Sequence, residues 1–377
     1  MFALSPSDEQ RALRLHREAI TIDTLGGYPV WTKPMLKCID EMIARNAGVF
    51  EIMNELHAIT SWNVGELEPE WEQARQASGL TAMSITSGPW GKILFSYENA
   101  VLDLADWMRR FDTVPNLLKV TSSRDIERAK REGKFGIILN FQNTTHIGWD
   151  LDNIGLFYNY GIRVIQLTYN DQNLVGAGCT ERTDGGLSRY GLKVVQRLNE
   201  RGILVDVSHC GYKTTLDAAE ASDAPIAITH TICKAVNNHD RGKTDDQLEA
   251  VAKRGGYVGI CVVPFFITSA PQATLEHWLD HVGHAVKLVG ADKVGIGTDW
   301  GGREPPALGK KMDEEAYPKI GFRPEHKVSS LATTKGYLAW TEWPNFARAL
   351  VSRGYKDEEI KGILGGNYLR LFKKVVG

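Results

Sequence analysis

Eight short runs of aliphatic and β-branched residues recur along the chain, and nearly all are followed by a stretch with helical spacing. The runs are Ala19–Thr24, Thr81–Thr86, Phe135–Phe141, Ile162–Thr168, Ile203–Ser208, Pro225–Thr229, Tyr257–Val263 and Lys293–Thr298. Short apolar runs fit strands buried on both faces, and their alternation with helices fits parallel βαβ units. The intervening stretches carry helix end signals. Ser122 opens one that stops at Gly133, Ser188 opens one that reaches Arg201-Gly202, and Thr244 opens one that ends at Arg254-Gly255-Gly256. A hydroxyl at the start satisfies free backbone N–H groups, and a basic residue followed by glycine suits the carbonyl end. Eight such units predict an α/β fold, a closed (β/α)8 TIM barrel. A doubly wound open sheet is the alternative. The barrel is preferred because polar residues follow many different strands, and only a barrel gathers all strand ends on one face.

At 377 residues the chain fits one such domain, spanning 1–377, with insertions. Two stretches read as irregular, lid-like insertions over the C-terminal face. One covers about 28–76 and is rich in tryptophan (Trp31, Trp62, Trp71); the other covers about 303–337 and contains Pro305-Pro306. The tryptophans, if exposed, fit a homodimer interface. The end of the chain, from Thr341 to Phe372, reads as two helices.

A net charge of −2 gives no general attraction to nucleic acid or to an anionic membrane. No apolar run approaches the roughly 20 residues of a membrane helix. The N-terminus lacks the basic and apolar regions of a signal peptide, and Ser7 or Asp8 is expected to cap a first helix. Five cysteines at irregular spacing, with no CxxC, fit reduced thiols of a cytoplasmic protein. Cys210 adjoins His209, but neighbours on a strand point to opposite faces, which disfavours a shared His–Cys centre.

The chemistry-bearing residues lie at strand ends. The run Val205-Asp206-Val207-Ser208 ends in His209, and Ile228-Thr229 ends in His230; the last strand ends Thr298-Asp299. Two histidines on successive strands and an aspartate on the last are expected to share a site. They can supply the three protein ligands of a catalytic zinc, or act on a substrate directly, with Asp299 as acid or base. Arg241, after the sixth strand, can hold a substrate carboxylate bidentately or form a surface ion pair with Asp240 or Asp245. The third strand ends in Gln142-Asn143 and the fourth in Tyr169-Asn170-Asp171. His239 and His57 are expected to face solvent, and His277, His281 and His284 to lie along a helix face.

These motifs resemble the membrane (renal) dipeptidases, a metallopeptidase family of amidohydrolase-like barrels. The resemblance rests on Asp206-Val207-Ser208-His209, Ile228-Thr229-His230-Thr231, and Arg241 with Asp245-Asp246. It rests also on Arg254 to Gly259, Gly295-Ile296-Gly297-Thr298-Asp299 and Leu364-Gly365-Gly366-Asn367. It implies a two-zinc centre, a carboxylate-binding arginine, a histidine that steadies the tetrahedral intermediate and a proton-handling aspartate. By this resemblance His209 and His230 are the later metal ligands, Arg241 binds the substrate carboxylate and Asp299 handles the proton. The chain departs from the pattern elsewhere. Leu25 and Gly27 stand where a His-x-Asp pair is expected, Gln142 (or Asn143) where a bridging glutamate is expected, and Tyr169 at the intermediate-stabilising histidine. A neutral amide is a poor bridge between two dications, so a binuclear centre is not expected. His209 and His230 hold a single weak zinc, or no metal binds.

The leading expectation is a dipeptidase-related hydrolase acting on a small carboxylate-bearing amide, dipeptide or amino-acid-like compound. Asp299, His209, His230 and Tyr169 are its candidate catalytic residues, and Arg241, Gln142, Asn143 and Tyr169 its candidate substrate contacts. The alternatives are a metal-independent lyase or C–N-cleaving enzyme on the same scaffold, and a non-catalytic carboxylate-binding protein.

Overall fold

The structure, a computed structural model, describes residues 2–27, 30–63, 69–88 and 96–377. Tyr28, Pro29 and the Trp62 side chain lie outside the described residues. The barrel strands are β1 (Ile22–Asp23), β2 (Ala82–Thr86), β3 (Phe135–Phe141), β4 (Ile162–Gln166), β5 (Leu204–Asp206), β6 (Ala227–Thr231), β7 (Tyr257–Ile260) and β8 (Val294–Ile296). Each pairs in parallel with the next in chain order. The ring closes where the Thr24 amide donates to the Ile296 carbonyl at 3.0 Å and the Asp299 amide to that of Leu25 at 2.8 Å. All eight predicted strands are present in an α/β TIM barrel. A short strand outside the ring, Leu117–Lys119, flanks β3.

Strand pleat sorts the side chains. Ile22, Ala82, Ile138, Val164, Leu204, Ala227 and Tyr257 form an inner core with Tyr368, Leu371 and Phe372 of the C-terminal helix Asn367–Val375, which plugs the strands' N-terminal end. Two residues further along, the same faces carry Thr24, Ser84, Asn140, Gln166, Asp206 and Thr229, all buried. Val205, Val207, Ile228, Val258 and Ile296 belong to the larger core that the outer helices share. The barrel interior therefore turns from apolar to polar toward its C-terminal face, and the polar layer needs hydrogen-bond partners.

Leu364-Gly365-Gly366-Asn367 seals the barrel base. A Cβ on Gly365 would lie 2.3 Å from the Ile20 carbonyl oxygen, so only glycine lets the chain approach β1. Asn367 donates to the carbonyls of Ala291 and Val294 at 2.7 and 2.8 Å, which ties the same segment to β8. This motif breaks the last helical stretch, so three helices stand where two were expected: Pro344–Ser352, Asp357–Lys361 and Asn367–Val375.

The two insertions are largely helical rather than irregular. The first forms Lys33–Ala44, Val49–Asn63 and Pro69–Ser78, and the second continues from Pro306–Lys311 through wider and tighter turns to Ile320. They pack on one another. Met35, Ile39, Met42, Val49 and Ile52 meet Leu308, Met312 and Ala316 in a separate apolar cluster. Glu315 accepts from the Val49 amide at 2.7 Å. Trp71 faces the outer helix layer instead, with its ring 6.0 Å from those of Phe135 and Trp340.

Ser122, Ser188 and Thr244 cap their helices as predicted. The first helix is capped by Ser5 rather than Ser7 or Asp8, because Pro6, which has no N–H to satisfy, takes the first turn. All five cysteines are free thiols. No helix among the described residues is long and apolar enough to cross a membrane.

Candidate active site

His209 and His230 leave the ends of β5 and β6 side by side, with ring centroids 5.0 Å apart. One ligand atom from each, together with a carboxylate oxygen of Asp299, lies within 4.8 Å of the others. Both Nε2 atoms are buried and have no hydrogen-bond partner among the described residues. Burial, reinforced by the Arg241 charge, pushes both imidazoles well below 6.5, so both are neutral near neutral pH.

The surroundings decide which nitrogen carries each proton. The Asn170 amide donates Nδ2 to the Ile320 carbonyl at 2.7 Å, so its Oδ1 must face His209, 2.7 Å from Nδ1. An amide oxygen only accepts; Nδ1 is therefore the protonated nitrogen and His209 Nε2 holds a lone pair. At His230, Nδ1 lies 2.8 Å from Thr229 Oγ1, which itself donates to Asp206 Oδ2 at 2.6 Å. With its proton so committed, Thr229 accepts from His230 Nδ1–H, and this Nε2 also holds a lone pair. Asp206 accepts further from the Thr229 amide and from the amide and hydroxyl of Ser208. Burial raises the Asp206 carboxyl, and these four donors oppose the rise.

Asp299 adopts φ +51°, the left-handed region that non-glycine residues seldom occupy. The hydrogen bond its N–H donates to the Leu25 carbonyl at the closure holds this conformation, with the carboxylate toward the histidines. Burial pushes the carboxyl up to about 7, against the opposing pull of Arg241. The side chain keeps 20% exposure, which places it at the mouth of the barrel.

Arg241 lies behind the histidines. It is 1% exposed and donates to the backbone carbonyls of Ser208 at 2.9 Å and His230 at 3.2 Å. Its Nη2 stands 4.0 Å from Asp299 Oδ2, and its Nε has no hydrogen-bond partner among the described residues. No ion pair joins it to Asp240 or Asp245 among the described residues. The Tyr169 ring stacks on the His209 imidazole at 4.0 Å and 20°. Gln142 donates Nε2 to Thr86 at 2.7 Å and leaves a buried Oε1 unpartnered. Asn143 serves its own turn, its Oδ1 accepting from the Thr144 and Thr145 amides, the Thr145 hydroxyl and Asn173. The structure thus brings His209, His230, Asp299, Arg241 and Tyr169 together, whereas the Asn143 oxygen is engaged locally.

Lys243 and Tyr317 carry no signal in the sequence, whereas Cys210, Asp206 and the remaining histidines do. Lys243 is fully buried, with Nζ on the Cys210 carbonyl at 2.5 Å and Thr215 Oγ1 at 2.9 Å, and burial lowers it to about 8. Cys210 is a core thiol that burial raises to about 11. Tyr317, from the second insertion, is raised by burial and by the carboxylates of Glu304, Asp313 and Asp299. The signal for Asp206 was legible: a carboxylate inside an apolar strand is costly unless it is paired. His239 is not solvent-facing. It accepts from the Arg241 amide at 3.1 Å, bonds the His326 carbonyl at 3.2 Å and packs on Phe266. His57 is half-buried, 3.9 Å from Asp103. His281 is buried on its helix, His284 pairs with Asp245, and His277 bonds Thr274 at the helix start.

The donor set fits one divalent ion. Two imidazole lone pairs and a carboxylate converge, each imidazole oriented by a partner on its other nitrogen, and three protein ligands leave a position for water. Among the described residues a second ion has no comparable shell. Leu25 is an apolar core residue, and a Cβ on Gly27 would stand 2.9 Å from the Gly301 backbone nitrogen.

A profile of the membrane dipeptidase family (peptidase family M19) matches residues 9–320. An uncharacterized dipeptidase of Schizosaccharomyces pombe is 28% identical over 268 residues, 69% of this chain and 58% of that protein. A dipeptidase of Claviceps purpurea is 25% identical over 298 residues, 76% of this chain and 64% of that protein. The chain therefore spans about three fifths of the length of these curated relatives. The crystal structure of an amidohydrolase from Pseudomonas aeruginosa superposes with a TM-score of 0.77 at 26% identity, covering 97% of this chain and 98% of that one. With its barrel closed, its strand-end histidines and Asp299 gathered at the mouth, and the family profile matched over most of its length, the chain belongs to the membrane dipeptidase family.

Proposed function

We propose that the protein is a hydrolase that cleaves the amide of a small, carboxylate-bearing, dipeptide-like substrate at a centre with a single metal position. The observation that carries this reading is the convergence of two unpartnered imidazole lone pairs and the Asp299 carboxylate. His209, His230 and Asp299 would hold the ion, and a zinc-class ion there supplies a Lewis acid and brings the pKa of water toward neutrality.

The chain's own groups do the rest. Asp299 has two oxygens, so it can ligate through one and carry a proton on the other. With no ion bound, burial raises this carboxyl to about 7; a bound dication would lower it, so Asp299 would then act as the base that accepts a hydrogen bond from water. The Tyr169 ring covers one face of His209 and keeps bulk water from it. Gln142 Oε1 offers an acceptor to a substrate N–H. Burial, with the Arg241 charge adding to it, keeps both imidazoles neutral, and Arg241 supplies the positive field toward which a substrate carboxylate is drawn.

A second reading is favoured by one observation: the ligands of a first metal position are replaced by Leu25, Gly27 and Gln142. On this reading the site cleaves a more labile C–N bond without metal. Assay of a dipeptide panel, with and without a strong chelator, separates the two. Hydrolysis lost on chelation and regained with one equivalent of zinc supports the first reading. Chelator-resistant turnover supports the second, and no turnover on any dipeptide counts against the hydrolase.

A further inference from the structure

Asn170 occupies a position that no step above requires, and it makes two opposed bonds at once. It is fully buried at the end of β4. On one side Oδ1 accepts from His209 Nδ1 at 2.7 Å; on the other Nδ2 donates to the carbonyl of Ile320 at 2.7 Å. Ile320 ends the tight turn Tyr317–Ile320 of the second insertion, where helical carbonyls run out of partners in their own segment. The fit is close on the insertion side. Gly321 has φ +86°, and a Cβ there would lie 2.9 Å from Asn170 Cβ and 2.5 Å from Asp171 Oδ1. Only glycine lets the insertion backbone reach this amide. The loop is pinned from behind as well, since the Asn170 carbonyl accepts from the amide and hydroxyl of Thr180. The Cys179 thiol, 3.5 Å from Asn170 Oδ1, is a further weak donor to the same oxygen and is compatible with that orientation.

The two bonds are not independent. Ile320 offers only an acceptor, so it fixes which end of the amide faces His209. That choice makes His209 Nδ1 the protonated nitrogen and leaves Nε2 bare toward the mouth. An amide turned around would present N–H to Nδ1, drive the proton to Nε2 and remove the lone pair. The same segment carries Tyr317, whose hydroxyl feels the Asp299 charge, so the insertion that Asn170 secures also borders the site.

We propose that Asn170 is a positioning residue that couples the second insertion to the site: docking of the Tyr317–Gly321 segment sets the amide, and the amide sets the tautomer of His209. The proposal rests on the reading that His209 Nε2 faces the reacting group. Its test is made on the protein alone, so it can fail while that reading stands.

The experiment is a long-range ¹H–¹⁵N correlation spectrum of the histidine rings in the full chain, as purified and after chelation, with hydrogen exchange followed at residues 317–323. Chelation matters because a bound ion would impose the same tautomer. Chelated wild type is expected to show His209 protonated at Nδ1 only. Asn170→Asp keeps an acceptor toward His209 but faces the Ile320 carbonyl with an oxygen. It is expected to keep the tautomer while exchange at 317–323 rises at least tenfold. Asn170→Leu loses both bonds and is expected to show mixed His209 tautomers and the same faster exchange. Protonation at Nε2 in the chelated wild type overturns the proposal, even if neither variant folds. A single Nδ1 tautomer in Asn170→Leu, or unchanged exchange in Asn170→Asp, overturns it also.

Discussion

Arg241 Nη2 and Asp299 Oδ2 stand 4.0 Å apart, beyond hydrogen-bond reach but close enough for charge to matter. The two are opposed in setting. The guanidinium is sealed behind the strand ends by two carbonyls, while the carboxylate opens to the mouth. Removing each should therefore fail differently. Asp299→Asn should lower kcat by about 10²–10⁴ and leave KM within a few-fold, as steady-state assays on an active dipeptide would reveal.

Arg241→Met should act first on folding. It leaves the Ser208 and His230 carbonyls without their donor in buried surroundings, a loss of about 2–4 kcal/mol by denaturant titration. Arg241→Lys should recover little of it, because an ammonium cannot span both carbonyls as the planar fork does.

Thr229→Val cuts the link from Asp206 to His230 while keeping the shape of the side chain. The imidazole then loses the group that orients it. Competition titration should find zinc held about 10–100-fold more weakly, with His209 still in place.

Lys243 gives a pH signature. Burial lowers its folded pKa from 10.5 to about 8, so its charge opposes folding fully below pH 8. Between about 8 and 10.5 the unfolded chain binds more protons than the folded one, and stability from this group rises with pH. Relative to Lys243→Met, whose carbonyl and hydroxyl losses do not depend on pH, wild type should gain about 3 kcal/mol across that window. Equal slopes in denaturant titrations at pH 8 and 10 would contradict this.

Gly365→Ala tests the barrel base. The added methyl meets the Ile20 carbonyl and should destabilise by about 1–3 kcal/mol without altering zinc affinity.

The fold was legible because parallel strands buried on both faces must be continuous apolar runs, and all eight appear. Their ends were less so: regular strand stops at Ile260, although the Cys261 and Val262 amides still bond the Thr231 and Thr298 carbonyls before the chain turns into the helix Pro264–Ile267. The insertions read as irregular because their apolar residues face each other rather than the barrel, as Met42 and Leu308 do. His209, His230 and Asp299 were legible as strand-end residues. Asn170 was not, since an amide beside an aromatic at a strand end carries no sign of the two bonds it makes. His239 was misjudged because what buries it, His326, lies 87 residues away.

His209, His230 and Asp299 imply a single metal position in a family barrel. Metal content of protein purified without chelator, paired with anomalous scattering from crystals, tests it most directly. No more than one zinc-class ion per chain is expected, lying between His209, His230 and Asp299. Two tightly held ions, the second near Leu25 and Gln142, would contradict it.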